Sequence, residues 1–160
     1  MMTARHNALL RLLYNYLVAH LPDEWVVWVD LPDLPGSYHR LPEEWTAMAQ
    51  RPDLVLWCLL TGEVVLIELT VPAEVGMAAA RLRKEVRYQA LTAEIDGRPG
   101  LTCHLVTVEV SAGGWLPKDQ LKPFFNLCEN AKERDAKELR LALSKEALEQ
   151  TEGIFRRRDA

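Results

Sequence analysis

The sequence is poor in cysteine and has no apolar run long enough to cross a membrane. Its three cysteines, Cys58, Cys103 and Cys128, are few, far apart and odd in number. They offer neither a disulfide framework nor a zinc-ligand spacing, which points to a reducing, intracellular compartment. The opening segment to His20 is apolar in part, but Arg5, His6, Arg11 and Asn15 interrupt it, so it reads neither as a signal peptide nor as a membrane span. A positive charge excess is also missing: 19 basic residues stand against 23 acidic ones, a net charge of −4. That argues against a stand-alone, high-affinity nucleic-acid binder, but not against an enzyme whose basic groups gather on one face. Internal repeats, low-complexity linkers and the interleaved basic and aromatic stripe of single-strand binders are absent too. What is present is an ordinary globular mix of 160 residues, 49% hydrophobic and 26% charged. It is enough for one domain over residues 1–160 with a substantial core.

Hydrophobic spacing predicts the elements. Thr3 caps a helix running to about His20, with His6, Leu10, Leu13 and Leu17 on one inward stripe. The apolar, β-rich run Trp25–Val29 is a strand. Residues 31–50, with three prolines and Gly36, form a loop with at most one helical turn at 43–50. Strands at 54–60 and 64–71 flank a tight turn at Thr61, Gly62 and Glu63, making a hairpin. Residues 64–67 are continuously apolar, as in a strand covered on both faces. Pro72 opens a helix through about Glu94, with Ala79, Leu82, Val86 and Ala90 as its buried stripe. A turn at 96–100 precedes a strand at 101–110. Helices at 117–129 and from 131 to about 155 follow, the second partly burying Leu139, Leu141, Leu143 and Leu148. Arg156, Arg157 and Arg158 form a frayed basic tail. The order α-β-β-β-α-β-α-α predicts an α/β fold with a mixed central sheet flanked by helices.

Two acids stand out within this pattern. Asp53 follows Pro52 at the head of one hairpin strand, and Glu68 lies within the apolar string VVLIELTV of the next. Pairing of the hairpin brings the ends of its strands together. Two carboxylates meeting there, with a backbone carbonyl such as that of Leu69, make a hard-oxygen site suited to Mg2+ or Mn2+. Such an ion can acidify a water and offset charge on a phosphodiester, and a nearby cation helps with the second task. The simplest arrangement puts Lys two residues after the acid, but that position is Thr70. The cation is therefore sought on the following helix, where Arg81, Lys84 and Arg87 recur every three residues. Lys84 is the candidate catalytic lysine, and Arg87 a phosphate contact. The bland alternative is two solvated charges at strand ends. It is weakened because an unpaired carboxylate inside an apolar strand is costly.

The strings RPDLVLW, LIELTVPAE and RLRKEVRYQAL, in this order, resemble the restriction-like endonuclease domain of site-specific non-LTR retrotransposons. Arg5-His6-Asn7, Arg51-Pro52-Asp53, the stretch from Glu68 to Glu74, and Lys84, Val86, Arg87, Tyr88 and Leu91 carry the resemblance, which spans nearly the whole chain. It implies a PD-(D/E)xK fold and metal-dependent DNA cleavage, with Asp53 and Glu68 as metal ligands and Lys84 as a displaced catalytic lysine. It also implies nuclear residence and a parent protein that adds a reverse transcriptase and DNA-binding domains, and it leaves room for a homodimer. Arg5, His6, Arg81, Arg87 and Tyr88 are the candidate DNA contacts. His6 weighs evenly between a core histidine and a contact to the metal site or scissile phosphate. Support of Lys84 is the favoured role for Tyr88, helix capping for Glu74, and a loop start for Asp30. Arg87 departs from the family's usual Lys, keeping charge but not geometry. The other function class is a catalytically inactive nuclease-fold module that binds DNA or protein, motivated by Thr70 and the negative net charge.

Overall fold

The computed structural model describes residues 4–31, 34, 51–71, 77–116 and 118–158. Thr3, Glu74 and the helical turn expected at 43–50 lie outside them. The described elements are α1 (Ala4–His20), β1 (Trp25–Val29), β2 (Leu54–Cys58), β3 (Glu63–Thr70), α2 (Met77–Asp96), β4 (Thr102–Glu109), α3 (Lys118–Phe125) and α4 (Glu133–Arg158). The four strands form one sheet in the order β1-β2-β3-β4. β1 and β2 pair antiparallel, as do β2 and β3, while β3 and β4 run parallel. The chain is thus α/β with a mixed open sheet flanked by helices. No described helix is long and apolar enough to cross a membrane.

The sheet separates two apolar clusters. On one face, Leu9, Leu10, Leu13 and Leu17 of α1 pack with Leu54, Leu56, Val65, Ile67, Val106 and Val108 of the sheet, and with Phe124, Leu139 and Leu143 of the last two helices. On the other, Tyr88, Leu91 and Ile95 of α2 cover Trp28, Val55, Val64, Leu66 and Cys103. β3 is buried from Val64 to Leu69, which is why its sequence does not alternate. A parallel step from β3 to β4 needs a crossover, and α2 supplies it across the second face.

The hairpin turn is longer than its sequence suggests. β2 stops at Cys58, and Leu59 and Leu60 are exposed. Gly62 N–H donates to the Cys58 carbonyl at 2.9 Å, and its φ of 75° lies in the left-handed region that favours glycine. A Cβ there would also strike the carbonyl of Gly100. The register that follows pairs Leu54 with Ile67. Asp53 and Glu68 are therefore next in line at the far end of the hairpin.

The face of α2 differs from expectation. Ala79 and Ala90 are exposed, and Leu82 and Val86 are 61% and 63% exposed. Among the described side chains of α2, the buried ones are Tyr88, Leu91 and Ile95, a second stripe at helical spacing. The aromatic ring and two large aliphatic side chains bury more apolar area than the alanine-rich stripe would, so the helix turns them to the sheet. In α4, Leu139 and Leu143 are buried with Ala147, but Leu141 and Leu148 are exposed. α4 also continues through Arg156, Arg157 and Arg158 instead of fraying before them.

Candidate functional site

One end of the sheet collects the buried polar groups. Among the described residues, the buried polar or charged ones are Asp53 (5% exposed), Glu68 (1%), Glu109 (0%) and Ser111 (0%). All four lie where β2 begins and where β3 and β4 end. Side-chain alternation puts Glu68, Thr70 and Glu109 on the face covered by α2, because Val64 and Leu66 of the same strand pack there. In the parallel register Thr70 sits beside Glu109. The Thr70 hydroxyl is buried without a hydrogen-bond partner among the described residues.

The two acids brace each other through the backbone. The Asp53 N–H donates to Glu68 Oε1 at 2.9 Å, and the Leu69 N–H donates to Asp53 Oδ2 at 2.8 Å. Each carboxylate thus satisfies an amide on the strand that carries the other. Pro52 has no N–H, so the approach to Asp53 needs one acceptor fewer. The segment leading into β2 is anchored twice more. The Asp30 N–H donates to the Asp53 carbonyl at 2.9 Å. From α2, the Tyr88 hydroxyl donates to the Arg51 carbonyl at 3.1 Å.

A histidine completes the cluster from the first helix. His6 Nε2 lies 3.3 Å from Asp53 Oδ2, and its side chain is 16% exposed. Burial disfavours the imidazolium. The hydrogen bond and charge of Asp53, with Asn7 and the Leu69 carbonyl alongside, outweigh that, and the pKa is raised above 6.5. Asp30 is affected in turn. Burial pushes its carboxyl up, the Arg51 guanidinium 3.1 Å away pulls it down, Asp53 pushes it up and His6 pulls it down, and the net shift is upward. Asp30 is therefore within electrostatic reach of both Asp53 and His6, not merely the start of a loop.

The sequence candidates divide as follows. Asp53, Glu68, Leu69 and His6 come together. Tyr88 joins them as a support: at 2% exposure it is part of the core, with its hydroxyl on the Arg51 carbonyl, a placement that does not suit stacking on a base. Arg5 Nη1 donates to Thr151 Oγ1 at 3.2 Å and so ties α1 to α4. Arg81, Lys84 and Arg87 lie on α2, but their side chains fall outside the described residues. Sequence reading passed over Glu109 entirely and did not favour Asp30. The signal for Glu109 was available, since an acid inside LVTVEV is the same anomaly that singled out Glu68. Among the described residues, no group of three or more His, Cys, Asp and Glu side chains is arranged to hold a metal ion. Compared with known proteins, the chain matches no family model and no curated sequence.

Proposed function

We propose that this chain is a PD-(D/E)xK-type endonuclease domain that hydrolyses DNA phosphodiester bonds with Mg2+ or Mn2+, the nicking unit of a retrotransposon-type protein. The observation that carries this reading is the concentration of buried acids at one end of the sheet. Three carboxylates lie there at 5% exposure or less, in a chain whose other described acids are not buried. Like charges gathered in a water-poor place repel one another, and a divalent cation offsets that repulsion while serving phosphate chemistry.

Asp53, Glu68 and the Leu69 carbonyl would hold the ion. These are oxygen donors of the kind Mg2+ and Mn2+ take, with water filling the remaining positions. The ion would supply Lewis acidity and an acidified water. The chain's own part is to fix the donors, which the reciprocal backbone bonds support, and to bring up a second cation. Residue 84 precedes Tyr88 by one helical turn on α2. Lys84 is accordingly assigned the role of the missing motif lysine, and Arg81 and Arg87 the phosphates on either side.

The decisive experiment is cleavage of supercoiled plasmid and branched DNA with Mg2+ or Mn2+. Wild type is expected to nick, and Asp53→Ala and Glu68→Gln to lose at least a hundredfold in rate. Equal survival of DNA with wild type and Asp53→Ala, on all substrates and with both metals, would overturn the proposal. One observation favours a catalytically inactive module instead: each acid already serves a backbone amide, a job that needs no metal. Salt-dependent DNA binding that ignores both metal and Glu68→Gln is the result that reading expects.

A further inference from the structure

His6 sits against the acid pair from a different layer of the fold. It belongs to the first turns of α1, which is anchored by Leu9, Leu10, Leu13 and Leu17 in the larger core. Its Nε2 reaches Asp53 Oδ2 at 3.3 Å, the same oxygen that accepts the Leu69 N–H at 2.8 Å. The carboxylate of Asp53 is thus gripped through one oxygen by two donors from two elements. Two donors on one oxygen restrict how the carboxylate can rotate and leave Oδ1 outside the grip.

We infer that His6 is a positioning residue, whose imidazole orients the Asp53 carboxylate for a divalent cation and contacts neither that cation nor DNA. The inference rests on the metal-site reading above. It gives the ring a task that a core histidine lacks. The ring is a donor on a rigid helix, aimed at a ligand oxygen, and partners of this sort hold metal ligands in a single orientation. An 84% covered side chain whose Nε2 is spent on Asp53 also leaves little of the ring for a phosphate.

The test is Mn2+ binding by the full chain without DNA, followed by electron paramagnetic resonance of free Mn2+. Wild type, His6→Ala, His6→Gln and His6→Phe are compared, with circular dichroism melts to confirm folding. Gln keeps an N–H donor near the position of Nε2, whereas Phe keeps the ring and loses the donor. The expected result is one Mn2+ per chain in wild type, a dissociation constant raised about tenfold or more in His6→Ala and His6→Phe, and recovery to within about threefold in His6→Gln. The Gln and Phe pair decides the matter even if His6→Ala does not fold. Mn2+ binding by wild type with equal affinity in His6→Phe overturns the positioning role alone. Absence of saturable Mn2+ binding in wild type overturns the metal-site reading, and the positioning role with it.

Discussion

Glu68 shows how much can depend on a single oxygen. Its Oε1 is the acceptor for the Asp53 N–H, in surroundings that admit almost no water. Gln and Leu at this position both remove the charge, but only Leu removes the acceptor. A buried amide left without a partner costs about 1–3 kcal/mol. Glu68→Gln is therefore expected to exceed Glu68→Leu in stability by about that amount, in urea unfolding with chelator present. Equal stability of the two would mean that the Asp53 amide finds another acceptor and that the reciprocal brace is dispensable. The cysteines follow a different logic. Burial pushes the Cys103 thiol up to about 12 and the Cys128 thiol up to about 11. Hydrogen bonds from Thr61 lower that of Cys58. At neutral pH Cys103 and Cys128 are protonated and unreactive.

At the scale of the element, α2 is where sequence and structure part most clearly. Its sequence carries two stripes at helical spacing, and periodicity alone cannot rank them. Leu82 and Val86 look as apolar as Leu91 and Ile95. The choice is made by what the sheet offers: Trp28, Val55 and Leu66 receive Tyr88, whose hydroxyl also finds the Arg51 carbonyl. Leu91→Ala or Ile95→Ala should thus cost about 2–5 kcal/mol in thermal or chemical unfolding, whereas Leu82→Ala should change stability by less than about 0.5 kcal/mol. The reverse order would put the wrong face of the helix on the sheet. The strands were far more legible. β1 matches its apolar run end to end, and the β2–β3 hairpin was marked by Gly62, though apolar Leu59 and Leu60 disguised its four-residue turn. Asp53 and Glu68 could be placed together because strand pairing follows simple arithmetic. His6 and Tyr88 could not be placed in detail, since their contacts to Asp53 and Arg51 span 47 and 37 residues and depend on tertiary packing.

Across the whole molecule, the helix-on-sheet layering explains why α1 reaches the acids at one end while also meeting α4. Arg5 donates to Thr151, a contact 146 residues apart in sequence. The hydroxyl of Thr151 in turn donates to the Ala112 carbonyl at 2.8 Å, just past the end of β4. The first turn of α1 and the part of α4 around Thr151 are therefore neighbours at the same end of the sheet as Asp53 and Glu68. Such a layout tolerates re-cutting of the chain order. A circular permutant that joins the present ends by a short Gly-Ser tether, and opens instead between the exposed Glu129 and Asn130, is expected to melt cooperatively with a Tm within about 8 °C of the parent, a loss of about 1–2 kcal/mol. Failure to fold would show that the α3–α4 connection matters more than its exposure suggests. By the same geometry, one hydroxyl, that of Thr151, couples the first helix, the last helix and the segment leaving β4, so a change at this single position would loosen three elements together.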